Sequence, residues 1–255
     1  MAEPRVYYRG QGKIFAYTRE LSGSVYVPGT GVWLGNAPDF TLTMNVTKVD
    51  HRESYSGQNL VDVSYVTERT ATLTATLEEF SAFNLSLCLN GKNTEVTADT
   101  GKEVIYTELN AGKTYLLGGD INVKNVVIED SLSSPLVLNT DYTLDAPRGS
   151  FTMITTKAGG GTAEYDTDGY GLTSLFTEPD AEWWVRFEGL NMLDNNNPTV
   201  ADFYKVKFNP AQNLSLISAE IAQFQLEASP LADETQPAFG DMGQFGCIKI
   251  VRGAA

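Results

Sequence analysis

A chain of 255 residues can bury a substantial apolar interior, either as one large domain or as a core carrying an insertion. Its 18 Lys and Arg face 32 Asp and Glu, a formal net charge of -14, and so acidic a surface repels phosphate backbones and excludes duplex binding driven by counterion release. Two cysteines and one histidine are too few for clustered zinc ligation. No apolar run is long enough to span a bilayer, and Met1-Ala2-Glu3-Pro4-Arg5 lacks the basic-then-apolar order of a signal peptide. The expectation is a soluble product of a reducing cytoplasm without membrane contact. Cys88 and Cys247 read there as small hydrophobes, with a bridge between them left open by the sequence.

In chain order, Gly10-Gln11-Gly12 precedes a short strand from Lys13 to Thr18, and glycines with Pro28 punctuate the approach to Trp33. Phe40 to Thr47 alternates apolar with hydroxyl or amide side chains, the signature of a half-buried strand. The pattern recurs where Thr70, Thr72, Thr74 and Thr76 oppose Ala71, Leu73, Ala75 and Leu77. Asp50 to Asn59 between them is too long for a tight hairpin and too polar to be buried, so it reads as disordered or awaiting a partner. A helix follows from about Phe80 to Asn90, with Glu78 and Glu79 at its positive dipole end and Gly91 as a left-handed cap. Phe80, Phe83 and Leu87 share one face, which Leu85, Cys88 and Leu89 widen until most sides need cover.

From about Ile121 the texture changes. Val123 to Ile128, Leu136 to Asp145 and Gly149 to Met153 read as a small β insertion over 119–160, with Ala158 to Thr162 as its return linker. Further strands are expected at Trp183 to Glu188, Phe203 to Phe208, Gln223 to Ala228 and Phe245 to Val251. One helical turn is expected at Ser218 to Ala222 and a loop tip at Asn195 to Asn197. The fold class is mainly β: a barrel-like sandwich of two packed sheets with one buried short α-helix across an open end.

Little in the chain points to catalysis. His51, the sole histidine, lies in the polar segment rather than beside a nucleophile elbow. Asp166-Thr167-Asp168-Gly169-Tyr170 imitates the start of a calcium loop, but the twelfth position is Leu175 where a bidentate carboxylate belongs, which favours an acidic turn. Gly118-Gly119-Asp120 and Gly159-Gly160-Gly161 lack phosphate-loop spacing. No catalytic, metal or cofactor residue is assigned, and the expectation is a protein that is not an enzyme. A glycosidase pair among 32 acids stays open. Trp183, Trp184 and Tyr204 are either a sugar-stacking platform or packing.

Several of these pieces, in their order, resemble the major tail tube protein of long-tailed (siphovirus-like) bacteriophages. They are Leu34-Gly35-Asn36, the strand from Phe40, Glu53-Ser54 through Gly57, the threonine strand, and the helix ending Leu87-Cys88-Leu89-Asn90-Gly91. Trp183 to Asn191, Phe203 to Pro210, Leu214 to Ser218, and Leu231-Ala232-Asp233 before Gly243-Gln244-Phe245 extend the likeness, which covers residues 1 to about 118 and about 165 to 255. The resemblance implies a tail-tube core in 1–118 and 161–255, with 119–160 decorating the tube's outer side. It further implies hexameric rings that stack into a conduit for DNA ejection, assembled in the host bacterial cytoplasm and residing in the virion. Implied partners are other copies of the chain, tape measure, tail terminator and baseplate or tail-tip proteins, with DNA in non-specific transit.

By position in that family, an arm containing Asp50, His51, Arg52, Glu53, Ser54, Tyr55 and Gln58 carries the contact between rings. The candidate lumen face that the resemblance implies is Thr41, Thr43, Asn45, Thr47, Thr70, Thr72, Thr74 and Thr76, the alternative being that these side chains face bulk solvent on an ordinary sheet. The alternatives are a monomeric β-sandwich that binds or hydrolyses carbohydrate, or a minor tail component such as a terminator or baseplate ring.

Overall fold

A computed structural model describes residues 7–237 and 243–251; the expectation drawn from Met1 to Arg5 lies outside them. The chain divides into two compact units, Met1–Lys92 with Ser174–Ala255, and Asn93–Thr173. The first unit opens with β1 (Gly10–Ser22), β2 (Val25–Trp33), β3 (Asp39–Arg52), β4 (Val61–Leu77) and the helix α1 (Ala82–Leu89). The second holds β5 (Asn93–Val96), β6 (Asp99–Tyr106), β7 (Thr114–Leu116), β8 (Val123–Asp130), β9 (Tyr142–Asp145), β10 (Ser150–Met153), β11 (Gly161–Thr167) and β12 (Tyr170–Thr173). The chain then returns to the first unit with β13 (Trp183–Asn191), β14 (Asn197–Asn209), β15 (Phe224–Pro230) and β16 (Gly246–Ile250).

The first unit is one eight-stranded sheet in the order β2-β1-β13-β14-β15-β4-β3, with β16 beside β14. The sheet curls until strands far apart in this order meet. The Phe40 ring on β3 lies 5.8 Å from Phe187 on β13 and 6.4 Å from Phe203 on β14. The two layers of a sandwich are therefore two halves of one sheet, packed over Ile14, Leu73, Leu77, Val185, Val206 and Leu226. β15 and β16 share one edge of β14, pairing with Val206–Asn209 and Thr199–Phe203 respectively, so they run as one strand interrupted by the excursion between them.

α1 is shorter than the sequence suggests. Ser81 caps its start by accepting from the Asn84 amide at 3.1 Å, and Asn90 rather than Gly91 takes the left-handed position at its end, with φ 45°. Gly91 is needed for another reason: a Cβ there would sit 1.7 Å from the Ser174 carbonyl oxygen. Glu78 and Glu79 do not serve the helix dipole. Glu79 accepts from the Asn36 amide at 3.2 Å and Glu78 from the Gln223 side chain at 2.8 Å. Inside, the Asn84 amide donates to the carbonyls of Leu34 and Glu79, both at 2.8 Å, which ties the helix to its flanks. The turn expected at Ser218 to Ala222 is absent; those residues belong to an irregular connection between β14 and β15.

The second unit is larger than the insertion read from the sequence. It begins at Asn93 instead of 119 and ends at Thr173 instead of 160. The reason is pairing: β6 bonds to β11, and β5 closes the unit against β12, Asn93 opposite Thr173. Gly161 and Thr162, expected in a linker, begin β11. The unit has its own core, including Leu109, Leu117, Ile128, Phe151 and Tyr165. Burial alone would raise Asp120, but hydrogen bonds from Lys102, Tyr165 and Tyr170 outweigh it and hold the carboxyl below its ordinary range.

Candidate functional site

β3 and β4 pair from Asp39↔Thr76 to Arg52↔Val61 as one long hairpin. The register sets Thr41 opposite Thr74, Thr43 opposite Thr72, Asn45 opposite Thr70 and Thr47 opposite Glu68, while Asp39 faces Thr76. All eight polar candidates thus share the face turned away from Leu73, Ala75 and Leu77. Small hydroxyls and one amide line it from Thr41 to Thr47, with acids at its two ends, Asp39 and Glu68.

Beyond Thr43 the hairpin outruns its core. From Met44 to Arg52 and from Val61 to Thr70, every residue but Val66 is exposed. Register shifts between Thr47 and Lys48 and between His51 and Arg52 change its character. The extra residue Thr67 moves Tyr65 and Val63 onto the threonine face, where they pair with Val49 and His51. The polar ladder therefore ends in an exposed apolar strip at the tip.

The arm corrects an expectation. Asp50, His51 and Arg52 are paired residues of β3, and the following loop is ordered by its own side chains without a partner. Glu53, 5% exposed, is the organiser. Its carboxylate accepts from the Tyr55 amide at 2.9 Å, the Ser56 amide at 2.8 Å, the Leu60 amide at 3.3 Å and the Ser56 hydroxyl, while its own amide donates to the Leu60 carbonyl at 2.8 Å. The Ser56 hydroxyl and amide foremost, with the other donors, hold the Glu53 carboxyl at about 2, well below its ordinary 4.5. Arg52 donates to the Asn59 carbonyl at 3.0 Å and His51 Nδ1 meets Asp62 Oδ1 at 2.6 Å. Ser54 and Gln58 are exposed in the loop, and Tyr55 is 86% exposed.

The side chains considered for chemistry are spoken for elsewhere. Trp184 and Tyr204 are buried with ring centroids 4.6 Å apart, and Trp183 packs edge-on against Phe83, so they form no open stacking platform. Asp166 accepts from the Gly101 amide and Asn125, and Asp168 pairs with Lys124. Cys88 and Cys247 are both free, with burial pushing the Cys88 thiol up to about 12. No cluster of three metal-ligating residues occurs among the described residues. No helix of the described residues is long and apolar enough to cross a membrane.

Two features had escaped the sequence reading. The hairpin diverges from β16 and leaves an apolar groove of about 350 Å³ whose lining includes Met44, Val46, Phe203, Phe245 and Ile248. At the other end of β15, the β14–β15 connection exposes Leu216, Ile217 and Ile221. Both join sequence-distant segments or depend on an irregular backbone, which periodicity does not register.

The fold and this site define a mainly β protein whose curled sheet extends a two-stranded finger past its own core. The chain belongs to the family described as protein of unknown function UCP028589, whose model matches residues 7–249. No curated protein matches it.

Proposed function

We propose that this chain is a major tail tube subunit, a structural virion protein that assembles as stacked hexameric rings and conducts DNA, without catalysis or cofactor. The observation that carries the reading is the distal β3–β4 hairpin, exposed on both faces and ended by an exposed apolar strip. A free two-stranded ribbon is marginal in water, and unpaired strand edges invite another chain. Among the described residues the outer edges of β2 and β3 are unpaired, so side-by-side copies could extend one sheet into a closed ring. In that arrangement the threonine face suits a wall that must not hold passing phosphates. The Glu53-ordered tip suits a contact between rings, with partners at the tube's ends closing the stack.

Light scattering across a concentration series, followed by electron microscopy, tests the proposal. Rings or tubes growing with concentration are expected. Isolated rings that never stack would instead indicate a minor ring component. A discrete monomer at every salt and protein concentration, even with tail initiation proteins added, would remove the tube reading and favour a binding or hydrolytic sandwich.

A further inference from the structure

We infer that the β14–β15 connection of one copy docks into the groove between β16 and the β3–β4 hairpin of the next, head to tail. This rests on the proposed self-assembly and names the surfaces that would carry it.

The first unit carries an apolar knob, in the β14–β15 connection, and an apolar hollow beside β16. The connection is anchored at its base, where the Ala211 amide donates to the Cys88 carbonyl at 2.7 Å and Leu214 packs on the core. Beyond that anchor Leu216, Ile217 and Ile221 are 79%, 94% and 77% exposed. Three large aliphatic side chains exposed between Leu216 and Ile221 mark a contact surface more than a single exposed one does. The hollow is the groove, about 350 Å³, small for a folded element but large enough for a few side chains.

A copy does not fill its own groove. The knob precedes the first residue of β15 and the groove opens at its last, Pro230; β15 is 7 residues long, about 20 Å at ~3.3 Å per residue. Different patches at opposite ends of one strand allow a head-to-tail contact, which propagates where a reciprocal two-fold pair would stop at the dimer.

Charge selects the same partner. Among the described residues Arg69 is the only ionic side chain lining the groove, and Glu220 is the only one in the connection, between Ile217 and Ile221. Neither makes an ion pair among the described residues. In a chain of net charge -14, where copies repel on average, this is a local attraction between them.

Two single variants at exposed positions, Ile217→Asp in the knob and Met44→Asp in the groove, test the inference with the full chain. Each should raise the concentration needed for association by about tenfold or more, as loss of a central apolar anchor does. An equimolar mixture should form a 1:1 dimer that grows no further, because one intact knob meets one intact groove. Glu220→Arg should weaken association, and adding Arg69→Glu should restore it.

If wild type and both variants build identical tubes, the inference fails and the tube reading stands. If the mixture forms its 1:1 dimer while wild type grows past the dimer into filaments that are neither rings nor tubes, the inference stands and the tube reading fails; a wild type that stops at a dimer is a two-fold pair and overturns the head-to-tail proposal. Association that either variant blocks and mixing does not rescue means that knob and groove do not meet each other and overturns the head-to-tail proposal. So does a monomer whose groove takes only a small apolar probe such as 1-anilinonaphthalene-8-sulfonate.

Discussion

Between Asp39 and Thr43, and between Ala71 and Leu77, the β3–β4 hairpin lays Phe40, Leu42, Leu73 and Leu77 against the core; from Met44 to Arg52 and from Val61 to Thr70 it stands almost wholly in the open. Both halves are built from alternating strand, yet only the near half has strands opposite it. Alternation is a property of the ribbon, whereas burial depends on what the fold places across from it. The near half therefore supplies stability, and the far half offers surface.

The largest effect should come from removing the far end. Replacing Arg52 to Asn59 with a short Gly-Ser connector should leave thermal unfolding of the subunit within a few degrees of wild type while tubes disappear from micrographs. Normal-length tubes would take the tip out of assembly, and an unfolded product would show that the two halves are not separable.

Point substitutions divide the halves by stability. Leu77→Ala, at 0% exposure, should cost about 2–5 kcal/mol in urea unfolding. Met44→Ala, at 73% exposure, should stay within about 0.5 kcal/mol. Equal costs would mean that the far half is covered within the subunit and would dissolve the distinction.

On the polar face, Thr43→Lys with Thr72→Lys places two cations directly across from each other. If that face lines a lumen, the charges repeat around each ring and along the tube, turning a weak phosphate contact into a multivalent one. Tubes should still form, genome ejection should slow, and higher salt should partly restore it. Wild-type ejection from intact mutant tubes would reject the lumen assignment alone.

The smallest effect is local and acid-dependent. Because the folded loop depresses Glu53 to about 2 from 4.5, its contribution to tip order is complete above about 4.5 and is lost as pH falls toward 2. The Tyr55 and Ser56 amide resonances should follow a midpoint near 2, and Glu53→Gln should abolish that titration and speed amide exchange at both. A midpoint near 4.5 would mean that the carboxylate does not hold the loop in solution.

Much of the near half was legible in the residues. Phe40 to Thr47 and Thr70 to Leu77 announce two paired strands because a pleated ribbon repeats every second residue, and the eight polar candidates fall on one face for that same reason. The short helix was legible too, although its cap was misassigned by one residue since both Asn and Gly tolerate the left-handed region.

The arm was not legible. Its polarity read as disorder or as a segment awaiting a partner, while a single carboxylate supplies the acceptors its turn amides need. The second unit's bounds depended on β6 finding β11, a pairing across more than fifty residues that local pattern does not encode. The same holds for the bulge at Thr67, which transfers Tyr65 and Val63 to the opposite face, and for the groove beside β16. Sequence by itself determined the period, and with it the strands and their polar face. Which of those strands meet, where the ribbon leaves its core and what surface it then offers were decided by tertiary structure, because burial and register are set by partners distant along the chain.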